Sequence, residues 1–198
     1  MINMFQILLA VKGAKELADT AAVVKELAQM DVLIGIPQSE SSREDSGTIT
    51  NAELAFIHTH GIRKQSMRQE MQVAMDQGRA YSQAYNMYIA AHGSPLWLSP
   101  PRPIIEPAIA DKDNNKRIIK HMKDAATAAF DGDRESMKQA LNRAGMAGQN
   151  AARDWFENPR NNWPPNSADT INAKGSDRPL VDTGELRKAI TYVVRRKK

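Results

Sequence analysis

The segment LVDTG at residues 180–184 contains the Asp-Thr-Gly triplet that can supply one carboxylate of an aspartic-protease dyad. In that chemistry two carboxylates share one proton, so a chain with a single copy has to dimerise. Only 16 residues follow Asp182, too few for the β-rich domain that such an enzyme needs. Glu185 lies three residues further on, a spacing typical of a capping box, in which each side chain accepts a hydrogen bond from a backbone N–H. We therefore expect a structural turn, made by Asp182, Thr183, Gly184 and Glu185.

Histidine is the other residue type here that could do chemistry. His58 and His60 could contribute to a metal site, but residues two apart diverge on a helix, and no carboxylate lies at a telling spacing. The sequence has no glycine-rich phosphate loop and no serine nucleophile elbow. It also has no cysteine, which excludes thiolate ligands and cysteine nucleophiles. The sequence therefore predicts a protein that is not an enzyme and that uses neither a metal nor a cofactor.

The elements that position these residues begin with an expected strand, helix and second strand. Residues 5–11 form a compact apolar run that favours a buried strand, and they lack the basic flank and the cleavage site of a signal peptide. Residues 14–29 show the apolar spacing of an amphipathic helix, and residues 31–37 are typical of a second strand. A polar, serine-rich loop over residues 38–50 is then expected to lead to a short helix over residues 51–60.

A long helix is predicted over residues 66–92, with methionine and tyrosine side chains in a stripe at spacings of three or four residues. Methionine adapts to irregular surfaces, and tyrosine joins an apolar body to a polar tip, so both suit a protein interface. The same stripe could equally pack against its own domain, and the sequence leaves both interpretations open. The candidate partner-facing residues are Met67, Met71, Met75, Tyr81 and Tyr85.

The C-terminal half is predicted to be helical after a proline-rich segment. Residues 94–109 contain five prolines and are expected to run extended with a turn. Two amphipathic helices are expected over residues 115–130 and 133–158, and a final strand over residues 189–196. Gly145, Ala147 and Gly148 make the apolar face of the second helix thin, so another backbone can approach it closely.

With few strands and many helices, the sequence predicts an α+β fold in which a small, mainly antiparallel sheet packs against two long helices. An inserted long helix and extended loops complete this prediction. The length of 198 residues suggests a single domain. No stretch approaches the roughly 20 apolar residues that a membrane span requires.

Positive charge is concentrated at the C-terminus. The chain has a formal net charge of +4, and seven basic residues face two acidic ones between Arg178 and Lys198. Such a tail can contact nucleic acid or an acidic protein surface, and it can equally serve solubility. The basic tail consists of Arg195, Arg196, Lys197 and Lys198.

Four motifs together resemble the neck and tail-completion proteins of tailed bacteriophages, a group that includes virion morphogenesis, minor tail protein Z-like and tail-terminator-like proteins. The motifs are AFIHTHG at 55–61, PPRPIIEPAI at 100–109, PPNSADTINAKG at 164–175 and RPLVDTGELRKAITYVV at 178–194. The resemblance covers most of the chain and is strongest in the C-terminal part. The candidate assembly residues within it are Pro101, Arg102, Pro103, Pro164, Pro165, Asn166, Lys174 and Gly175.

One segment departs from that family pattern. In the family, the motif that ends in glycine runs within a few residues into the Pro-Arg-Pro segment, whereas here residues 61–91 intervene. The sequence YIAAHG at 88–93 echoes FIHTHG at 56–61 and marks where the pattern resumes. Residues 61–91 are therefore predicted to be a helical insertion within a single domain spanning residues 1–198.

The resemblance implies a structural protein of the virion, located at the head–tail junction and assembled in the host cytoplasm. It implies a tail-terminator or tail-completion subunit, in a ring of six copies, that joins the tail to the head connector. The implied partners are other copies of the chain, the tail tube or sheath protein, a head connector, adaptor or portal-proximal protein, and DNA in the channel, with no membrane. The alternative is a nucleic-acid-binding accessory protein that uses the basic C-terminus.

The resemblance also implies that the Asp-Thr-Gly corner leads into a short helix and the final strand. Because Arg102 lies between prolines, we expect it to make a fixed, bidentate contact with a carboxylate. The polar loops over residues 38–50 and 158–180 are predicted to be irregular, apart from a short turn of helix over residues 167–173, and we expect them to become ordered on assembly.

Overall fold

The computed structural model describes residues 4–43, 49–181 and 183–197, with the side chains of residues 4–12, 14 and 15 left aside. Within this part of the chain the fold is α+β, as predicted, and strongly helical. The helices are α1 Met4–Ala28, α2 Asn51–His60, α3 Gln65–Asp76, α4 Tyr81–His92, α5 Ile105–Ala110, α6 Lys112–Phe130, α7 Arg134–Asp154, α8 Ala168–Lys174 and α9 Glu185–Ala189. The strands are β1 Met30–Gly35, β2 Ile62–Arg63, β3 Trp97–Ser99 and β4 Thr191–Arg196.

A hairpin of α6 and α7 is the spine of the molecule. Each helix begins at an aspartate, Asp111 or Asp133, whose side chain accepts hydrogen bonds from N–H groups of the first turn. Gly132, at a φ of 74°, makes the short turn between the two helices. Their apolar faces pack together and against α1, as the helical spacing predicts. The buried residues of this cluster are Val23, Ala125, Ala129, Met137, Ala140 and Leu141.

A two-stranded antiparallel sheet of β1 and β4 lies on α7, with Met30 opposite Arg196 and Gly35 opposite Thr191. The glycines of α7 make this contact possible. A Cβ atom on Gly145 would overlap the ring of Tyr192, and one on Gly148 would lie 2.7 Å from Cγ1 of Ile34. The small residues of this helix admit a close neighbour, as predicted, but the atoms that approach them are side-chain atoms of Tyr192 and Ile34 and not the expected backbone.

The N-terminal prediction is wrong in one respect. Residues 5–11, expected to form a buried strand, belong to α1, which runs without a break into the helix predicted from residue 14. A short apolar run fits a strand or a buried helix equally well, and only the length of the element distinguishes them. The second predicted strand is confirmed as β1, and the last as β4.

The expected long helix over residues 66–92 is also wrong, because it is two helices, α3 and α4. Gly78 lies between them at a φ of 83°, a conformation in which glycine is the least strained residue. The two helices pack on each other around their own apolar cluster. That cluster contains Met67, Met71, Ala74, Ala84 and Tyr88, with Met75, Tyr85 and Ile89 partly buried beside it.

The methionine and tyrosine side chains of the stripe therefore pack mainly between α3 and α4. Met67 and Met71 are 0% and 3% exposed, so the structure corrects their assignment as partner-facing residues. Tyr85 is partly buried, and its ring lies 5.0 Å from the guanidinium carbon of Arg63. Tyr81 remains half exposed, although it also stacks on Arg63 and accepts a hydrogen bond from it.

A second antiparallel pair, β2 and β3, lies at the base of this hairpin, so the two ends of the segment are neighbours. Gly61, at a φ of 72°, ends α2 just before β2. A Cβ atom at this position would lie 2.8 Å from the backbone nitrogen of Pro101. The chain before the hairpin and the chain after it are thus in contact at Gly61 and Pro101, which is the geometry that an insertion needs. That residues 61–91 are an insertion stays a prediction.

The proline-rich segment is extended only in its first part. Residues 105–110 form α5, which the sequence analysis did not predict. Pro107 is the third residue of this helix. In the first turn a missing N–H costs nothing, because the backbone donors there have no partner within the helix. Among the described residues, no helix combines the length and the apolar character that crossing a bilayer requires.

Replacing Gly145 with alanine is expected to lower the free energy of unfolding by about 1–3 kcal/mol, because the added methyl group displaces the Tyr192 ring. Gly13 is the matched control, since it lies in α1 and an added Cβ there meets nothing within 4 Å. Gly13→Ala is expected to be neutral or to stabilise by up to about 1 kcal/mol. Urea unfolding of both variants gives the comparison, and a loss of stability in Gly13→Ala equal to that in Gly145→Ala contradicts the packing argument.

Candidate functional site

Residues from all four family-like motifs meet around one cleft of about 540 Å³. Helix α2 forms one wall, and the segment from Leu98 to Arg102 forms the next. Segments 165–174 and 180–186 complete it, apart from residue 182. We call it the motif cleft. Its polar lining residues include Arg43, His58, Arg102, Ser167, Lys174 and Glu185.

Arg102 joins two of these motifs. Its Nε and Nη2 atoms donate to the carbonyl oxygen of Pro164 at 3.0 and 2.8 Å, and Nη2 also donates to that of Pro165 at 2.9 Å. The backbone N–H of Arg102 donates to the carbonyl oxygen of His58 at 2.6 Å. The side chain is 7% exposed. The expected contact of Arg102 with a carboxylate is therefore corrected, because its fork binds the backbone of the chain itself.

The carbonyl oxygen of Pro103 also accepts a hydrogen bond from a side chain. The indole N–H of Trp163 donates to the carbonyl oxygen of Pro103 at 3.0 Å. Its ring meets Phe156 edge to face, with the ring centroids 5.7 Å apart. The two segments are therefore linked in both directions. Arg102 of the first donates to the carbonyl oxygen of Pro164 in the second, and Trp163 of the second donates to that of Pro103 in the first. The apolar cluster beside this link is formed by Ile104, Ala108, Ala152, Trp155, Phe156, Leu186 and Ile190.

The third motif forms a small capped helix. The hydroxyl oxygen of Ser167 accepts a hydrogen bond from the N–H of Thr170, and Gly175 ends α8 at a φ of 67°. The amide nitrogen of Asn166 donates to the carbonyl oxygen of Asp177, and Lys174 Nζ donates to that of Arg178 at 3.2 Å. Helix α8 confirms the short turn of helix expected over residues 167–173, and these contacts order the described loop around it within the chain.

Thr183 and Gly184 of the Asp-Thr-Gly segment form a bend that leads into α9 and then β4, as the resemblance implies. Asp182 itself lies outside the described residues. The hydroxyl oxygen of Thr183 accepts a hydrogen bond from the N–H of Glu185 at 3.4 Å. Gly184 precedes the helix at a φ of 79°, and Glu185 is the first helical residue. Thr183 and Gly184 therefore shape the described part of this corner.

A second arginine fastens the same corner to the spine. The Nε atom of Arg153, on α7, donates to the carbonyl oxygen of Ile190 at 2.9 Å, and Nη2 donates to that of Lys188 at 2.8 Å. Arg187 forms an ion pair with Glu157 at 3.0 Å, just beyond the end of α7. The cleft wall formed by α9 is thus fixed to the end of α7 by contacts in and just after the C-terminal half of α9.

The other side of the cleft is held by hydrogen bonds before α2. The backbone N–H of Asn51 donates to the carbonyl oxygen of Ser41 at 2.7 Å, and Asn51 Nδ2 donates to that of Ser42 at 3.1 Å. Thr50 and Glu53 form a reciprocal capping box at the start of α2. This network positions Arg43 at the cleft, so part of the 38–50 loop is ordered by contacts within the chain.

His58 lies in the cleft wall in an unusual electrostatic setting. Burial, together with the positive charges of Arg102, Arg43 and Lys174, lowers the pKa of His58 to about 4. The imidazole is therefore neutral at neutral pH. Its buried Nδ1 atom has no hydrogen-bond partner among the residues that the structure describes, and the same holds for Oε2 of Glu185.

The remaining histidines lie apart from this cleft. His60 donates through Nδ1 to the carbonyl oxygen of Phe56 at 2.9 Å, and His92 pairs with Glu70 at 2.9 Å across the α3–α4 hairpin. His121 lies on α6 near Asp124. In the described part of the chain, no group of three or more His, Asp or Glu side chains has the arrangement that a metal ion needs.

Two residues of the basic tail belong to a strand. Arg195 and Arg196 belong to β4 and are exposed. The Nζ atom of Lys197 donates to the carbonyl oxygen of Ala28, at the end of α1, and lies 3.9 Å from a carboxylate oxygen of Asp31. Lys198 lies outside the described residues. Part of the tail charge is thus compensated within the molecule.

Sequence reasoning did not single out His58, Trp163, Arg153 or Glu185 as members of one site. These residues are far apart in the chain, and no local spacing signals that they meet. The signal that the sequence did contain is the presence of hydrogen-bond donor side chains next to prolines, at residues 100–103 and again at residues 163–165. Proline carbonyls need donors from elsewhere, because prolines cannot form a regular backbone ladder.

Replacing Arg102 with lysine is expected to lower the free energy of unfolding by about 2–4 kcal/mol. A single ammonium group cannot reproduce the fork that binds two carbonyl oxygens, and buried acceptors are left unpaired. Urea unfolding measures the loss. Arg79→Lys, in the exposed connection between α3 and α4, is the control, and we expect it to change stability by less than about 0.5 kcal/mol. Equal effects of the two variants contradict the role of the fork.

Stability is expected to fall as the pH falls from about 6.5 to 4, in part because of His58. The pKa is about 4 in the folded chain against 6.5 for the free group. In this window the unfolded chain binds more protons than the folded one, so acid favours unfolding. Unfolding free energies at pH 7 and pH 4.5 test this. His58→Gln, which does not titrate, is expected to lose less stability between these pH values than the wild type; an equal loss in both contradicts the assignment.

Comparison of the chain with protein-family models, with curated proteins and with solved structures found no match in any of the three.

Proposed function

We propose that this chain is a structural subunit of the head–tail junction of a tailed bacteriophage. In this proposal it forms a closed ring, of six copies, that terminates or completes the tail and joins it to the head connector. The observation that carries the proposal is the convergence of four motifs on one folded corner, the motif cleft. The arginines of this corner bind backbone carbonyls, so the motifs specify a shape.

The chemistry of the corner supports a role without turnover. Arg102 and Arg153 are both engaged with main-chain oxygens and not with a carboxylate that could act as a base. Among the described residues, His58 is the one imidazole that lines the cleft, and it lies near the cations Arg43, Arg102 and Lys174. Burial, together with the positive charges of Arg102, Arg43 and Lys174, lowers the pKa of His58 and keeps it neutral. No carboxylate in the described part of the chain binds its buried Nδ1 atom, as a general base would need. A fixed surface of this kind suits docking better than proton transfer.

Incompletely covered secondary structure supports association with other copies. Sheet β1–β4 has two strands, and neither strand has a further partner within the described residues. Sheets of two strands are marginal alone, and free edges pair readily with another chain. Large apolar side chains are also exposed: Leu17 (76%), Phe56 (65%), Leu98 (68%) and Phe130 (69%). Surfaces at different places on the molecule suit a head-to-tail contact, which closes into a ring by rotation.

The partners in this proposal are other copies of the chain, the tail tube or sheath protein, and a connector, adaptor or portal-proximal protein. DNA in the channel is a further contact of a ring at this position. The alternative of a DNA-binding accessory protein has less support, because Lys197 is engaged with α1 and Asp31. Arg195 and Arg196 are exposed, but the charge of Arg196 also acts on Glu26 of α1.

Native mass spectrometry of the purified chain is expected to give a closed oligomer of six copies. Electron microscopy of this oligomer mixed with tails and heads is expected to find it at their junction. A chain that stays monomeric at all concentrations and never joins particles contradicts the proposal.

Two further results would favour the alternatives. Peptide cleavage by the wild type that is lost in Asp182→Asn would indicate an enzyme. Salt-sensitive affinity for duplex DNA that is lost on deleting residues 195–198 would indicate the accessory role. Under the proposal, wild type and Asp182→Asn both give no cleavage, and the deletion leaves the oligomer intact.

A further inference from the structure

We propose that the motif cleft is a docking socket for an acidic segment of a partner protein, and that it binds a carboxylate flanked by apolar side chains. This deepens the proposed function by naming the chemistry that the partner must present. The binding itself can be tested on the isolated chain.

The charge of the cleft favours an anion. Arg43, Arg102 and Lys174 all line it, and Glu185 is the carboxylate that opposes them. With His58 neutral, the described lining residues carry more positive than negative charge. Lys174 uses one of its three N–H donors on the carbonyl oxygen of Arg178, which holds the ammonium group in place and leaves two donors.

Polar atoms without partners are a second, independent indication. Nδ1 of His58 and Oε2 of Glu185 are buried, and no hydrogen-bond partner for either occurs in the described part of the chain. Buried polar groups are nearly always paired in native proteins, so two unpaired atoms in one cleft call for an explanation. A bound peptide explains both, because it brings a carboxylate and backbone N–H groups to the same place.

Apolar residues of the lining favour a protein ligand over a small ion. Leu54, Leu98, Leu180 and Leu186 lie beside the charged groups. Leu98 is 68% exposed at the rim. A carboxylate side chain next to a leucine or isoleucine would place its charge near Lys174 and cover Leu98, which gains both electrostatic and hydrophobic energy.

The same features disfavour DNA as the occupant. A duplex presents a phosphate charge about every 1.7 Å along its axis and needs an extended basic surface. The motif cleft has a volume of about 540 Å³, which suits a few side chains, and Glu185 would repel a phosphate backbone.

The bound carboxylate is expected to be detectable through His58. A negative charge in the cleft favours the protonated imidazole and offsets Arg43, Arg102 and Lys174, so binding raises the pKa of His58. Glu185, the opposing carboxylate, is present in the free and bound states alike. The imidazole is thus a reporter inside the socket, independent of any assembly assay.

The test is an NMR titration of the full chain with the capped peptide Ac-ALELDA-NH2, with His58→Gln used to assign the His58 signals. We expect saturable shifts of the His58 ring signals and a rise of its pKa by at least about one pH unit. The neutral peptide Ac-ALQLNA-NH2 is expected to bind at least about tenfold more weakly. Lys174→Ala is expected to weaken binding of the acidic peptide by about fivefold or more, and Lys174→Arg to retain it.

Lys120→Ala is the matched control, since Lys120 lies on α6 and does not line the motif cleft. We expect wild-type binding in this variant. The proposal is overturned by an unchanged His58 signal at millimolar acidic peptide, by equal affinity for the neutral peptide, or by equal weakening in Lys120→Ala. It is also overturned if a 20-base-pair duplex shifts the His58 signals at lower concentration than the peptide. None of these outcomes bears on the copy number measured by mass, so a failed socket and a failed ring are distinguishable.

Discussion

The hydrogen bonds from Arg102 to the carbonyl oxygens of Pro164 and Pro165 are the constraint on which the motif cleft depends. Proline-rich segments have few N–H groups, so they cannot hold one another through a backbone ladder. A guanidinium supplies several donors in a fixed plane and can bind two successive carbonyls at once. The cost of burying its charge is offset by the carbonyl dipoles that it contacts. One side chain thereby joins segments that are more than sixty residues apart in the chain.

Helix α7 gives this corner a rigid base. One part of its surface packs on α6, and the glycines Gly145 and Gly148 admit the β1–β4 sheet at close range. Its last turn carries Arg153, which binds the carbonyls at the end of α9. The helix therefore contacts both the sheet and the segment that forms one wall of the motif cleft.

The sequence predicted the elements whose signals are local, and it missed what depends on distant residues. The spacing of apolar residues located α6, α7, β1 and β4, and the small residues of α7 indicated a close neighbour. Periodicity could not distinguish a strand from a helix over residues 5–11, and it gave no weight to Gly78, which divides α3 from α4. The prolines on either side of Arg102 indicated that the backbone at this residue is conformationally restricted. Its acceptors could not be predicted, because they belong to another loop that only the folded chain brings near.

The helical hairpin of α3 and α4 has its own buried cluster, and its two ends are joined by the β2–β3 pair. The side chains of the hairpin therefore pack mainly on one another. The packing around Arg102 depends little on the hairpin. A segment of this kind can be lengthened, shortened or exchanged during evolution while the rest of the fold is kept. The hairpin is thus the part of the chain in which changes of length and sequence meet the weakest structural constraint.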